Sequence, residues 1–90
     1  MTSNACVTVE FFGMPRQRAG RTELVLPAGT VAETLAAIEE ACPGLSGLLQ
    51  NGRVAPHYLL SVNGDRFLAD VRQRLRAGDR VLVLSADAGG

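Results

Sequence analysis

One helix, with clear signals at both of its ends, constrains the fold of this chain more than any other feature. Residues 27–29 (PAG) break the chain before it, and Thr30-Val31-Ala32-Glu33 fits a capping box, in which the threonine side chain caps the first turn and the glutamate reaches back. Pro43-Gly44 ends the helix. Its apolar residues recur at helical spacing and form one stripe: Val31, Leu35, Ile38 and Cys42. A helix with a single apolar stripe needs one covering layer, which a sheet can supply.

Alternating apolar and polar residues predict two strands before this helix, at residues 6–12 (CVTVEFF) and 21–26 (RTELVL). The segment between them, residues 13–20 (GMPRQRAG), has glycine at each end and a proline, which is typical of a turn or an exposed loop. Two strands joined by a short loop commonly pair as an antiparallel hairpin, so we expect a hairpin here.

Further strands are predicted after the helix, at residues 57–62 (HYLLSV) and 80–85 (RVLVLS), with a short one at residues 66–68 after an Asn63-Gly64-Asp65 turn. Residues 45–52 are interpreted as a short helical turn or a packed loop whose leucines cover one end of the core. This order predicts an α+β fold, with a mixed sheet of four to five strands wrapped around one main helix. The other face of the sheet is expected to be open to solvent or to a partner.

The composition is that of one globular domain, which we expect at residues 1–85, with residues 86–90 as a flexible tail. The 9 basic residues balance the 9 acidic residues, which argues against wholesale binding to nucleic acid or to anionic membranes. No apolar run is long enough for a membrane-spanning helix, and the start shows no secretory signal. Cys6 and Cys42 match no zinc or CxxC spacing, so we expect a cytoplasmic protein with reduced thiols and no bound metal.

Four stretches, in this order, resemble the ubiquitin-like β-grasp sulfur carriers of the MoaD/ThiS family: VTVEFFGMPRQRAG, GTVAETLAAIEEACPGL, LLSVNGD and LRAGDRVLVLSADAGG. Together they cover nearly the whole chain, and the last of them ends at Gly89-Gly90. No single motif among them is specific, and the resemblance rests on their order together with the terminal glycine pair. It implies a β-grasp fold and a protein that acts as a co-substrate rather than as an enzyme.

The resemblance also implies a chemistry for the end of the chain. In this family an E1-like adenylating enzyme uses ATP to activate the terminal glycine carboxylate, and sulfur then displaces AMP to leave a thiocarboxylate. Gly90 would carry that group, and Gly89 and Ala88 would give it access to a narrow channel. No bound cofactor is implied, because the ATP is used by the activating enzyme.

Among the pathways that the resemblance implies, molybdopterin synthesis is the leading one, and in it the tail would insert into the large subunit of molybdopterin synthase. Carriers of that pathway often have prolines before the glycines, whereas residues 85–88 here are SADA. Carriers for thiazole, cysteine or another sulfur-containing metabolite are therefore alternatives. A ubiquitin-like modifier, joined through Gly90 to a lysine of its target, and a β-grasp interaction domain with no tail chemistry are further alternatives.

Two surfaces are candidates for docking to such partners. Three arginines form a basic cluster, which is either a solvated face or a docking patch for an acidic groove: Arg72, Arg74 and Arg76. Aromatic residues are not interleaved with this cluster, which disfavours nucleic acid. If the outer face of the sheet is open, we expect one of Phe12, Leu60 or Leu82 to be exposed there and to mark a partner site. His57 is expected to be structural or exposed, because no nucleophile or second acid–base group accompanies it.

Overall fold

The computed structural model describes residues 5–68 and 70–86. These residues contain two α-helices, α1 (Gly13–Ala19) and α2 (Val31–Ala41), and a 3-10 turn at Pro43–Leu45. The strands are β1 (Cys6–Phe11), β2 (Glu23–Pro27), β3 (Leu49–Gln50), β4 (Arg53–Val54), β5 (Tyr58–Val62), β6 (Arg66–Phe67) and β7 (Arg80–Ser85). Every strand predicted from the sequence is present, with small shifts of its bounds.

Five strands form one mixed sheet in the order β2-β1-β7-β5-β6, and β3 and β4 form a separate two-stranded hairpin. β1 pairs antiparallel with β2 and parallel with β7, while β5 pairs antiparallel with both β7 and β6. The buried residues of α2 pack in one core with those of the sheet. A five-stranded mixed sheet around one main helix confirms the predicted α+β, β-grasp fold.

The capping box predicted at the start of α2 is present. The N–H of Glu33 donates to Thr30 Oγ1 at 3.1 Å, and the N–H of Thr30 donates to Glu33 Oε1 at 2.8 Å. The predicted apolar stripe of the helix is buried, and it packs against alternate residues of three strands: Val7, Val9, Phe11, Leu60, Val62, Val81 and Val83. Burial of this continuous apolar core is the main favourable contribution to folding.

Residues Gly13–Ala19 form a helix, and the prediction of a turn or an exposed loop at residues 13–20 is wrong. Gly13, at φ 61°, turns the chain out of β1, and Gly20, at φ 74°, ends α1 with its N–H donating to the carbonyl oxygen of Arg16 at 3.0 Å. Pro15 is buried in the first turn, where no intrahelical N–H is needed. The two glycines thus mark the ends of a short helix, and the proline lies within its first turn. The helix connects β1 to β2, which pair antiparallel with each other.

A short hairpin that the sequence did not predict begins within the segment 45–52 and ends at Val54. The 3-10 turn lies at Pro43–Leu45 and so overlaps the segment expected to hold a short helical turn only at Leu45. β3 and β4 then pair antiparallel around Asn51 and Gly52, whose φ angles of 52° and 74° are those of a type I′ turn. Leu45 and Leu48 are fully buried and cover one end of the core, as predicted.

Candidate functional site

The predicted reactive residues of the tail, Ala88, Gly89 and Gly90, lie outside the residues that the structure describes. The last described residue is Ala86, whose N–H donates to the carbonyl oxygen of His57 at 2.9 Å. This hydrogen bond extends the pairing of β7 with β5 by one residue beyond β7. The final strand therefore delivers the tail at the end of the sheet where β5 begins.

Apolar side chains cluster on the face of the sheet that is turned away from α2. This outer-face patch consists of five residues: Phe12, Leu59, Phe67, Leu82 and Leu84. Leu59 lies directly opposite Leu84 in the register of β5 and β7. Ser61 lies between Leu82 and Phe67 in the next row of the sheet. Because monomeric proteins rarely expose large contiguous apolar surface, the patch is a candidate site for a protein partner.

Leu60 does not belong to the outer-face patch, so the prediction that it is available for docking is wrong. It is 2% exposed because it points into the core opposite Val83, while its neighbour Leu59 points outwards and is 38% exposed. Of the other two docking residues predicted on the sheet, Phe12 is 40% exposed. Leu82 is half-buried on the outer face.

The three predicted docking arginines, Arg72, Arg74 and Arg76, are exposed in the segment between β6 and β7. This segment lies against the start of α2, where the N–H of Val31 donates to the carbonyl oxygen of Gln73 at 2.9 Å. It leads into the first residue of β7, whereas the tail leaves from the last. The structure therefore separates the arginines from the exit of the tail by the length of β7.

Two ion pairs involve charged side chains of this segment and of β7. Asp70 Oδ1 accepts hydrogen bonds from the backbone N–H of Arg72 at 2.9 Å and from its Nε at 3.3 Å. These bonds, the backbone bond first, lower the pKa of the Asp70 carboxyl below its ordinary value. The guanidinium of Arg80 pairs with the carboxylate of Glu10 across the parallel strands β1 and β7.

A pocket of about 340 Å³ lies beside the point where the chain leaves β7, and we name it the exit pocket. It is lined by residues of α1, of the segment before β3 and of the start of β5, among them Met14, Arg18, Gly47, His57, Tyr58 and Ser85. Arg18 Nη1 donates to Tyr58 Oη at 3.4 Å and so links α1 to β5 across 40 residues of sequence. Arg18 and Tyr58 were not predicted, because nothing local in the sequence marks a contact between them.

The described residues contain neither a candidate metal site nor a candidate membrane-spanning helix. Within residues 5–68 and 70–86, no group of three or more His, Cys, Asp or Glu side chains is placed to hold a metal ion. No helix in this part of the chain is long and apolar enough to cross a membrane. Tyr58, which lines the exit pocket, and Leu59 of the outer-face patch are consecutive residues of β5 near the exit of the tail, and their side chains point to opposite faces of the sheet.

Solved structures of the same fold align along nearly the whole chain. Small archaeal modifier protein 1 from Methanosarcina acetivorans aligns with a TM-score of 0.77 at 22% identity, over 96% of this chain and 97% of that one. The Pyrococcus furiosus protein named molybdopterin converting factor, subunit 1, aligns with a TM-score of 0.73 at 25% identity, over 91% and 98%. A chain of the Amycolatopsis orientalis BexX/CysO complex aligns with a TM-score of 0.77 at 24% identity, over 93% and 99%. No protein-family model and no curated protein sequence matches this chain.

These alignments extend over the complete domain in each structure, so they concern the whole arrangement of strands and helices and not one local motif. They agree with the resemblance carried by the four sequence stretches and with the sheet order β2-β1-β7-β5-β6. The chain has the ubiquitin-like β-grasp fold, and it is similar to proteins of the MoaD/ThiS type.

Proposed function

We propose that this protein is a sulfur carrier whose terminal residue, Gly90, is converted to a thiocarboxylate that donates sulfur in molybdopterin synthesis. The observation that carries the proposal is the position of the last strand, which ends beside the outer-face patch and leads into a tail that closes on Gly89-Gly90. A partner that holds the patch can then admit the slim tail to its own active site. Similarity to the Pyrococcus furiosus molybdopterin converting factor subunit, over 98% of that chain, supports the choice of pathway.

The proposed chemistry takes place in two steps at the carboxyl carbon of Gly90. In the active site of an E1-like adenylating enzyme, the carboxylate attacks the α-phosphate of ATP and expels pyrophosphate, which gives an acyl adenylate. A sulfide equivalent then attacks the carbonyl carbon and expels AMP, which leaves the thiocarboxylate. The carrier supplies the reacting end and its presentation, while ATP and the catalytic groups belong to the enzyme.

Two partners follow from this chemistry, the adenylating enzyme and a sulfur-accepting subunit such as the large subunit of molybdopterin synthase. We assign the outer-face patch as the surface that both partners hold, because it is apolar, exposed and adjacent to the exit of the tail. The exposed arginines stay a second candidate surface, at the far end of β7: Arg72, Arg74 and Arg76.

Intact mass spectrometry tests the proposal. The protein is incubated with ATP, a sulfide source and an adenylating enzyme already shown to act on another carrier. We expect a mass gain equal to the replacement of one oxygen by sulfur, mapped to Gly90. The matched control is the same chain with one alanine added after Gly90, which should gain no mass. A sulfur-dependent gain in the extended chain would contradict a reaction at the Gly90 carboxylate.

A ubiquitin-like modifier is the second candidate, favoured by the similarity to small archaeal modifier protein 1. It shares the activation step and differs in the acceptor, since Gly90 would end in an amide with a lysine of a target protein. Denaturing gels of cell extract distinguish the two functions. Higher-mass adducts that disappear when Gly90 is extended favour a modifier, whereas their absence beside a measurable thiocarboxylate favours a carrier.

The acceptor pathway needs its own comparison, because similarity to a chain of the BexX/CysO complex also fits a carrier for another sulfur-containing metabolite. Purified thiocarboxylate is offered to molybdopterin synthase large subunit together with the pterin precursor that accepts the sulfur, and formation of the dithiolene product is measured. Product formation supports molybdopterin synthesis, and failure with a large subunit that works with its own carrier would contradict it. A β-grasp interaction domain without tail chemistry predicts that the extended chain keeps full function.

A further inference from the structure

The exit pocket lies within reach of the end of the chain. Its wall includes Ser85, the last residue of β7, and His57, whose carbonyl oxygen accepts the N–H of Ala86. The four residues that follow Ala86 span at most about 14 Å when fully extended, at roughly 3.3–3.6 Å each. The tail therefore starts at the rim of the pocket, and its extended length exceeds the width of about 9 Å that a sphere of 340 Å³ would have.

Arg18 gives this pocket a cation without a carboxylate partner among the described residues. Its guanidinium makes one hydrogen bond there, to Tyr58 Oη at 3.4 Å, and the two ion pairs found in the described residues use Arg72 and Arg80. A guanidinium carries five N–H donors, and its planar fork can hold a carboxylate through two parallel hydrogen bonds. The donors that Arg18 brings to the wall of the pocket are therefore suited to a carboxylate.

We propose that the exit pocket binds the chain's own terminal Gly89-Gly90 carboxylate, with Arg18 as the pairing cation. The identity of the bound group rests on the proposed function, in which Gly90 ends the chain and carries the reactive carboxylate. Glycine reaches the backbone conformations that a reversal into the pocket requires. While docked, the carboxylate is withheld from the adenylating enzyme, so the fraction available for activation is set by the ratio of docked to free tail.

Nuclear magnetic resonance of the full-length, ¹⁵N-labelled protein tests this binding site without any enzyme. The heteronuclear ¹⁵N NOE of the Gly89 and Gly90 amides reports how restrained the end of the tail is. We compare the wild type with Arg18→Gln and with the control Arg16→Gln. Arg16 is exposed on the same helix and lines a different pocket.

In the wild type we expect the Gly90 amide to be more restrained than the amide of Thr2 at the other end of the chain. Arg18→Gln should lower the docked-to-free ratio roughly two- to fivefold, the range for a partly exposed ion pair, and Arg16→Gln should leave it unchanged. Arg18→Lys, which keeps the charge and loses the fork, should fall between them. Unchanged amide shifts in the sheet show that each variant is folded. Equal restraint of Gly90 in the wild type and in Arg18→Gln would overturn the proposal.

Two further comparisons identify the group that is bound. Asp87→Asn should leave the restraint of Gly90 unchanged. If Gly90 loses its restraint in that variant, the group that contacts Arg18 is the Asp87 carboxylate, and the proposal is overturned. The restraint should also be independent of protein concentration, since a dependence would mean that the pocket holds the tail of a second copy. None of these measurements uses ATP or an adenylating enzyme. A free tail would therefore refute the docking alone, and a failed sulfur transfer would refute the function alone.

Discussion

Gly44 approaches the backbone of Arg18 so closely that a Cβ atom at position 44 would lie 2.1 Å from the Arg18 carbonyl oxygen. Gly44 is in the 3-10 turn after α2, and Arg18 is in α1. The contact therefore sets how near α1 comes to this turn, and with it the position of the Arg18 side chain at the exit pocket.

Gly44→Ala is expected to destabilise the protein by about 1–3 kcal/mol, because the added methyl meets a backbone atom that cannot rotate away. Urea denaturation followed by circular dichroism measures the change in the free energy of unfolding. Ser46→Ala, at an exposed position two residues further on, is the control and should stay within about 0.5 kcal/mol of the wild type. Equal stability of Gly44→Ala and the wild type would show that α1 has room to move.

The capping box of α2 gives a second prediction. Thr30→Ala removes the hydroxyl oxygen that accepts the N–H of Glu33, and it should lower the free energy of unfolding by about 0.5–2 kcal/mol. The same denaturation experiment measures it. Thr22→Ala is a matched control, since Thr22 is an exposed threonine that caps no helix. A loss no larger than that of the control would argue against the reciprocal hydrogen bonds.

The other half of the capping box predicts a dependence of stability on pH. Two hydrogen bonds with Thr30 lower the pKa of Glu33 below its ordinary value of 4.5. The larger effect comes from the backbone N–H of Thr30, and the smaller one comes from its side chain. As the pH falls, the unfolded chain takes up this proton before the folded chain does. The stabilisation is therefore present above the unfolded pKa and is lost as the pH falls through the folded pKa.

Stability of the wild type and of Glu33→Gln is measured from neutral pH to well below 4.5. We expect any advantage of the wild type at neutral pH to shrink as the solution is acidified, because glutamine keeps an acceptor in the box but cannot titrate. A difference between the two proteins that stays constant across this range would contradict the lowered pKa.

The turn before β6 is tied to the start of β7 through Asn63. Its Oδ1 accepts the N–H of Arg80 at 2.9 Å, its Nδ2 donates to Asp79 Oδ1 at 3.2 Å, and its own φ is 56°. Asn63→Ala removes both side-chain bonds and strains the backbone, whereas Asn63→Gly removes the bonds without that strain, although it adds flexibility to the unfolded chain. We expect Asn63→Ala to lose more stability than Asn63→Gly, and the reverse order in urea denaturation would contradict a role for the left-handed backbone.

The outer-face patch predicts a binding defect without a folding defect. Phe67→Ser, on edge strand β6, should weaken affinity for the adenylating enzyme by about tenfold, as expected when an apolar contact residue is truncated. Val25→Ser is the matched control, because it is similarly exposed, at 60% against 67%, on the opposite edge strand β2. Calorimetric titration of the enzyme measures both variants. If both variants bind the enzyme with equal affinity, the docking surface lies elsewhere on the carrier.

The five strands of the main sheet were predictable because alternation of side chains is a local property, whereas the short strands β3 and β4 were not. Prediction also failed where two signals had the same appearance. Gly13 and Gly20 mark a loop or the two ends of a short helix equally well, and packing of Pro15 against the core decided for the helix. Leu59 and Leu60 are both apolar, so alternation did not show which one faces the core. The pairing of β5 with β7 decided this, since it places Leu60 opposite the buried Val83.

The sequence by itself determined the main helix, its capping box and its buried stripe, because these depend on residues three or four positions apart. Only the tertiary structure decided that β7 lies parallel to β1 in the centre of the sheet, and that Arg18 meets Tyr58 across 40 residues beside the exit of the tail. Such contacts join distant segments whose partners are selected by burial of a common core, and no local pattern records that choice.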